Sequence, residues 1–288
     1  MEPAPLELGA GVTLAVLGAA LLHAVWNAMI KSSGDKLLDT ALVCFGGVAF
    51  TAPLIPFFPP PAPASWPYLA VSVTVHVGYF FSIVGAYRAG DLSRGYPIMR
   101  GVAPVLVSLA AYFWLGEPMA PSTWLGIALI CGGVMSLALV GNSAGGAPQS
   151  RAATGWALAN AAIIAVYTLA DGRGVRLSGS PVGYVLWMFV LDFLPFALIV
   201  LAMRRRALVA YVAKQWRRAL LGGFCSVGSY GIAVWAMARA PVAAVAALRE
   251  CSVVFAALIG AWLLKEGQVR PRLAGAVVVL AGIVAIKS

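Results

Sequence analysis

SRGYPIMRGVAPVLVSLAAYFWLGEPMAPSTWLGIALICGGV, residues 93–134, returns later in the same chain as VAAVAALRECSVVFAALIGAWLLKEGQVRPRLAGAVVVLAGI, residues 242–283. A single ungapped shift of 149 residues lays Arg100 on Arg249, Leu115 on Leu264, Glu117 on Glu266, Gly126 on Gly275 and Gly133 on Gly282. Shared hydrophobicity aligns apolar letters, but it does not put an arginine, a glutamate and two glycines in register. Upstream, GYF at 78–80 answers to GSY at 228–230 after a one-residue slip. The chain therefore divides into two repeats, 1–141 and 153–288, with a linker at 142–152 whose NSAGGAPQS stretch reads as flexible.

Composition places both repeats in a bilayer. Of 288 residues, 61% are hydrophobic and 10% charged, against about 25% charged in an ordinary soluble domain. Ten apolar runs lie near 11–30, 37–57, 67–88, 92–115, 122–141, 153–171, 181–203, 216–238, 241–264 and 272–287. Each is close to the roughly 20 residues that a helix needs to cross a hydrocarbon core. The expected fold is an all-α integral membrane protein: ten transmembrane helices in two five-helix repeats. MEPAPLEL has no basic n-region, so the first run is expected to stay as a helix rather than leave as a signal peptide. The segments between runs are too short for a soluble domain, so function is expected inside the bundle.

The net charge of +10 reads as a topology signal rather than a nucleic-acid footprint. Lys31, Lys36, Arg88, Arg94, Arg151, Arg204, Arg205, Arg206, Lys214, Arg217, Arg218, Lys265, Arg270 and Arg272 lie in or beside loops 1, 3, 5, 7 and 9. Arg173, Arg176, Arg239 and Lys287 mark the other side. The positive-inside rule then makes the odd loops cytoplasmic and puts both termini outside, in a multi-pass protein of the cytoplasmic (inner) membrane. An odd number of spans per repeat forces the second repeat to enter upside down. Loop 2, PFFPPPAPASWP, is uncharged, while its counterpart in the second repeat is arginine-rich, as inversion requires. Inverted repeats related by an axis in the membrane plane are the usual architecture of secondary transporters, which bind their substrate at the midplane between the halves. The basic run RRRALVAYVAKQWRR, 204–218, also admits binding of anionic lipid.

Each repeat ends in an LxxE-type pattern followed by a Gly-rich helix, LGEPMAPSTWLGIALICGGV and LKEGQVRPRLAGAVVVLAGI. In this the chain resembles the EamA-type family of the drug/metabolite transporter superfamily, and in length the YddG-type amino acid exporters. The resemblance implies a basket-shaped bundle whose helices 1, 3, 4, 6, 8 and 9 enclose a central cavity. It also implies export of amino acids or related metabolites by alternating access. Other metabolites or drugs, sugar phosphates, nucleotide sugars and lipid-linked sugars are the alternative cargoes on this fold.

Polar residues inside the apolar runs are the candidate site, because a charge at the bilayer centre costs about 3 kcal/mol on insertion scales unless something compensates for it. His23, Trp26 and Asn27 share one face of helix 1, and His76 and Tyr79 one face of helix 3. Tyr96 and Arg100 do so on helix 4, where Pro97 and Pro104 flank the arginine. Asn160, Tyr167 and Asp171 form a stripe on helix 6, with Asp171 readable as a solvated helix end. Helix 8 carries Ser229 and Tyr230, helix 7 Asp192, and helix 9 Arg249 beside Glu250.

Two readings of the arginines stay open. In one, Arg100 pairs with Glu250 or Asp192 and Arg249 with the other, holding the repeats in register. In the other, a guanidinium takes a substrate carboxylate through paired hydrogen bonds. If a proton is coupled to transport, Asp192, Glu250, His23 and His76 are the groups available to carry it. Glu117 and Glu266 read as caps at helix ends.

Cys44, Cys131, Cys225 and Cys251 all fall within spans and form no metal-binding or disulfide pattern. No HExxH or GxSxG motif is present, so neither an enzyme nor a cofactor is expected. The expected partners are a small-molecule substrate and membrane lipid, with a monomer sufficient and no nucleic acid.

Overall fold

The computed structural model describes residues 8–31, 35–89, 92–140, 151–263 and 269–287. Their regular structure is helical: α1 (Ala10–Lys31), α2 (Lys36–Thr51), α3 (Trp66–Ala89), α4 (Leu92–Trp114), α5 (Pro121–Val140), α6 (Arg151–Leu177), α7 (Pro181–Met237), α8 (Val242–Arg249), α9 (Cys251–Leu263) and α10 (Val269–Lys287). Short 3₁₀ turns lie at Ala52–Phe57 and Pro63–Ser65. Four described stretches are long and apolar enough to cross a membrane: Ala10–Ile30, Leu37–Phe57, Arg151–Leu177 and Pro181–Met237. Ile98–Trp114, Pro121–Ser136 and Ala274–Lys287 are shorter apolar helices. Large apolar side chains also face outward, among them Leu14, Phe113, Leu198, Ile199, Leu280 and Val284. A soluble protein seldom shows such a continuous apolar exterior, and lipid is its natural solvent.

The helices depart from the apolar runs at four places. α2 stops at Thr51 and continues as a 3₁₀ turn to Phe57, because Pro53 and Pro56 remove amide donors from the α ladder. The seventh and eighth runs belong to one helical path, since RRRALVAYVAKQ at 204–215 holds no Gly or Pro to unwind it. That path bends instead, with non-helical backbone at Arg204 (φ −135°, ψ 41°) and Gln215 (φ −117°, ψ 22°). The ninth run is interrupted at Glu250, which closes α8 by donating its N–H to the Ala247 and Leu248 carbonyls before α9 begins. α6 extends past the expected end to Leu177, which places Asp171 well inside it.

The buried core gathers α6, α7 and α8, with α8 enclosed on all sides. α2 packs along α7, α3 against α6, α4 between α5 and α6, and α5 against α10. The α5–α10 contact is built on glycine. A Cβ on Gly126 would meet the Gly282 carbonyl at 2.6 Å, and one on Gly133 the Gly275 carbonyl at 3.0 Å. The two helices therefore run antiparallel with their backbones touching, the close approach that small residues permit between membrane helices. All four cysteines are buried and unbridged. The linker at 142–150, Leu264, Glu266 and the Tyr96 side chain lie outside the described residues, as do the side chains of Lys31, Lys36, Arg88, Arg94, Lys265, Arg270 and Arg272.

Candidate functional site

α3, α6, α7 and α8 bring an aromatic and ionisable cluster together in the core. His76 of α3 stacks on Tyr167 of α6, centroids 4.2 Å apart. Tyr230 of α7 stands edge-on to Tyr167 at 5.7 Å, and Tyr79 edge-on to it at 6.2 Å. Edge-to-face contact sets the positive rim of one ring against the negative face of another, which fixes ring positions without further hydrogen bonds.

The carboxylates sit around these rings. Asp171 accepts the Tyr230 hydroxyl at 2.5 Å on one oxygen and the Tyr184 hydroxyl at 3.1 Å on the other. It is fully buried rather than a solvated helix end, because α6 carries it a turn and a half inside the bundle. Asp192 Oδ2 lies 3.4 Å from His76 Nδ1. That ring nitrogen also lies 2.9 Å from the Ser72 carbonyl. Asp192 Oδ1 is buried with no hydrogen-bond partner among the described residues. Such an oxygen keeps its full desolvation cost until a donor reaches it.

The two arginines occupy different settings. Arg100 Nε lies 2.8 Å from Glu250 Oε2, an ion pair just outside hydrogen-bond alignment, and Arg100 Nη2 donates to Ser252 Oγ at 3.2 Å. This joins α4 to the α8–α9 break. Arg249 is buried with its guanidinium 4.6 Å above the Tyr230 ring, and among the described residues no carboxylate lies within ion-pair distance of it. Asp192 pairs with His76 rather than with either arginine. Both guanidinium groups are within electrostatic reach of His23 and Tyr167, so the two arginines border one cluster.

Not every residue on the predicted polar faces joins it. His23 and Trp26 meet edge-on at 5.2 Å, and the buried Trp26 indole nitrogen has no acceptor among the described residues. Asn27 donates to the His23 carbonyl at 2.8 Å and Ser229 to the Ser226 carbonyl at 2.8 Å, so both spend their donors on their own helix. Asn160 donates to Ser82 at 2.6 Å, tying α6 to α3. Among the described residues no group of three His, Cys, Asp or Glu side chains gathers as a metal site.

The two ends of the bundle carry ionic clasps. At the even-loop end, Gly116 (φ 67°) turns the chain after α4 and aims Glu117 inward. Buried Glu117 accepts the Val242 N–H at 2.9 Å, capping α8, and lies 2.6 Å from Arg176 Nη2. Arg176 in turn donates to the Met237 and Ala240 carbonyls at 2.8 and 3.0 Å. A carboxylate at a helix N-terminus and a guanidinium on exposed carbonyls satisfy the groups that helix ends leave unpaired. At the odd-loop end, Arg204 pairs with Asp35 at 2.7 Å, and Asp39 holds Arg218 at 3.1 Å and the Tyr211 hydroxyl at 2.6 Å. Arg218 also donates to the Met29 carbonyl. Donation to Asp39 favours the neutral phenol and pushes Tyr211 above the usual tyrosine range.

Position and packing made Asp171 and Tyr184 hard to find from sequence. Helix period alone placed Asp171 on the Tyr167 face, but only the observed length of α6 buries it.

No curated protein matches the sequence. A solved structure described only as "Crystal structure of protein" superposes with a TM-score of 0.74 at 19% identity, covering 96% of this chain and 97% of that one, a likeness that speaks to fold alone. The profile of the EamA-like transporter family matches residues 10–139 and again 152–288. With both halves of the sequence on that profile and an apolar helical bundle around a buried ionisable cluster, the chain is a multi-pass membrane protein that belongs to the EamA-like transporter family.

Proposed function

We propose that the protein is a secondary transporter that exports amino acids, or closely related zwitterions, from the cytoplasm by alternating access. The observation that carries this reading is the pairing of two incomplete buried groups around one aromatic cluster. Among the described residues, Arg249 has a ring face beneath it but no carboxylate within ion-pair distance, and Asp192 has an oxygen without a donor. A free amino acid supplies both missing partners: its carboxylate for Arg249, its ammonium for Asp192 or for the faces of Tyr167 and Tyr230. A sugar phosphate fits less well, because its dianion would call on a second guanidinium and Arg100 is held by Glu250.

The scaffold we propose is ten spans in two inverted repeats, 1–141 and 153–288, acting as a monomer. The α5–α10 glycine contacts support the inversion. Under the 149-residue shift Gly126 maps to Gly275 and Gly133 to Gly282, so the two contacts are images of each other, as a two-fold axis demands. In the proposed cycle the halves rock about the cluster, opening it first to the cytoplasmic odd loops and then to the outside. Both termini then lie outside the inner membrane.

The test is counterflow of labelled amino acids and sugar phosphates into liposomes holding the purified protein, with Arg249→Gln and Asp192→Asn alongside. Amino acid uptake by the wild type, with apparent affinity falling about 10- to 100-fold in Arg249→Gln, is expected from the loss of a charge-assisted hydrogen bond. Movement of sugar phosphates and of no amino acid would overturn the reading.

A further inference from the structure

The basic run 204–218 is unused by the proposed cycle, yet it borders a groove of about 660 Å³ between α2 and α7. Phe45, Leu201, Val209, Val212, Trp216 and Leu220 line that groove, and no lining residue is charged. Its volume falls inside the roughly 300–1,000 Å³ range of small-ligand sites. Val209, Val212 and Ala213 recur at helical spacing, so one face of the segment between the two bends of α7 forms a wall, which Trp216 continues just past the Gln215 bend. Arg205 and Arg206 lie between the lining residues Leu201 and Val209, four and three residues before the latter.

The charges there are unevenly spent. Arg204 is bound to Asp35 and Arg218 to Asp39. Arg205 and Arg206 are exposed, and neither has a carboxylate within ion-pair distance among the described residues. Lys214 and Arg217 are exposed too, but Arg217 lies 5.3 Å from the Trp216 ring. The groove is thus apolar along its length, and the segment that joins its lining residues Leu201 and Val209 carries two exposed guanidinium groups, a pattern that suits a single amphiphile with an anionic head.

We infer that this groove is a binding site for an anionic phospholipid, with an acyl chain between α2 and α7 and the headgroup phosphate at Arg205 and Arg206. Guanidinium forks bind phosphate oxygens in pairs. Trp216 sits where membrane-interface tryptophans are found. A lipid held there bridges α2 to the connecting segment of α7 at the same end as the Asp35 and Asp39 ion pairs.

Native mass spectrometry of the purified full-length protein tests this, with phosphatidylglycerol and phosphatidylcholine of identical acyl chains titrated in detergent. The wild type is expected to retain phosphatidylglycerol preferentially. A basic residue beside an anionic lipid surface is worth about fivefold in binding, so Arg205→Gln/Arg206→Gln should weaken phosphatidylglycerol about 25-fold, and phosphatidylcholine, whose phosphate is offset by its own choline cation, by much less. Lys214→Gln/Arg217→Gln removes the same net charge and should weaken it far less. Ala213→Phe, at an exposed position on the groove wall, should displace both lipids, and Val209→Trp repeats that test should the first variant misfold. Equal retention of the two lipids by the wild type would overturn the inference. So would equal losses in the two double variants, which would mean a diffuse surface potential, or lipid retention unmoved by filling the groove. A two-chain species that loses lipid as it forms would assign the groove to a second copy of the protein and overturn it as well.

Discussion

At the scale of single residues, the two arginines that the repeat places in register do different work. Arg100 is committed: it neutralises Glu250 and reaches Ser252, and all three are buried. Removing one member of a buried ion pair leaves the other charge desolvated, at about 3–5 kcal/mol, whereas removing both can be nearly neutral. Arg100→Gln is therefore expected to destabilise the protein by that amount and Arg100→Gln/Glu250→Gln by much less, read as unfolding in mixed micelles. Arg249→Gln removes a guanidinium with no carboxylate within ion-pair distance among the described residues, and Glu250 keeps its Arg100 partner, so the unfolding free energy should change by no more than about 1 kcal/mol. If Arg249→Gln unfolds as readily as Arg100→Gln, the division between a structural and a substrate-facing arginine fails. Sequence could name both residues, since a charge in an apolar run is conspicuous. It could not divide their roles, because Glu250 and Asp192 were equal claimants until the break at Glu250 turned that side chain toward Arg100.

At the scale of elements, backbone proximity decides what a helix tolerates. Gly132 and Gly133 are neighbours on α5 with opposite surroundings: a Cβ on Gly132 meets nothing within 4 Å, while one on Gly133 meets Val279 Cγ2 at 2.8 Å and the Gly275 carbonyl at 3.0 Å. Gly126 is tighter, with the Gly282 carbonyl at 2.6 Å. A carbonyl cannot rotate away as a side chain can, so the helices must separate. Gly126→Ala is expected to cost about 1–3 kcal/mol of stability, by analogy with overpacking in cores. Gly132→Ala should be neutral or stabilising by up to about 1 kcal/mol, since alanine is the better helix former. Parallel unfolding curves check both, and equal effects would remove the glycine contact as the basis of α5–α10 packing. The repeat register made Gly126 and Gly133 visible in the sequence, and apolar runs located most helices. The break at Glu250 and the helical path through 204–215 were not legible. The first depends on a tertiary partner, the Arg100 pair, and the second is hidden by its charge, since a basic run reads as a loop although 204–215 holds no Gly or Pro to end a helix.

At the scale of the whole molecule, the clasps set which end of the bundle can open. The Glu117–Arg176 clasp joins the α4–α5 turn, the end of α6 and the start of α8, and it buries its carboxylate. The Asp35–Arg204 pair at the other end is largely exposed, and exposed pairs contribute little, about 0–1 kcal/mol. The same end also holds the Asp39–Arg218 pair, whose carboxylate is as buried as Glu117, so each end of the bundle is closed by one buried clasp. For a transporter that alternates, loosening the Glu117–Arg176 clasp should raise the population open at the even-loop end, by about fivefold for each kcal/mol removed. The measurement is labelling of Ser229→Cys by a membrane-impermeant thiol reagent, in a background where Cys44, Cys131, Cys225 and Cys251 are replaced by alanine. Ser229 borders Tyr230 and spends its own hydroxyl only on its helix, so the substitution disturbs no contact between helices. Glu117→Gln should speed labelling from the even-loop side several-fold. Arg176→Gln should do the same, and the double variant should add little to either, because the two residues act through one contact. Labelling unchanged in both single variants would mean that the clasp only caps α8, and that closure at this end rests on the apolar packing beneath it.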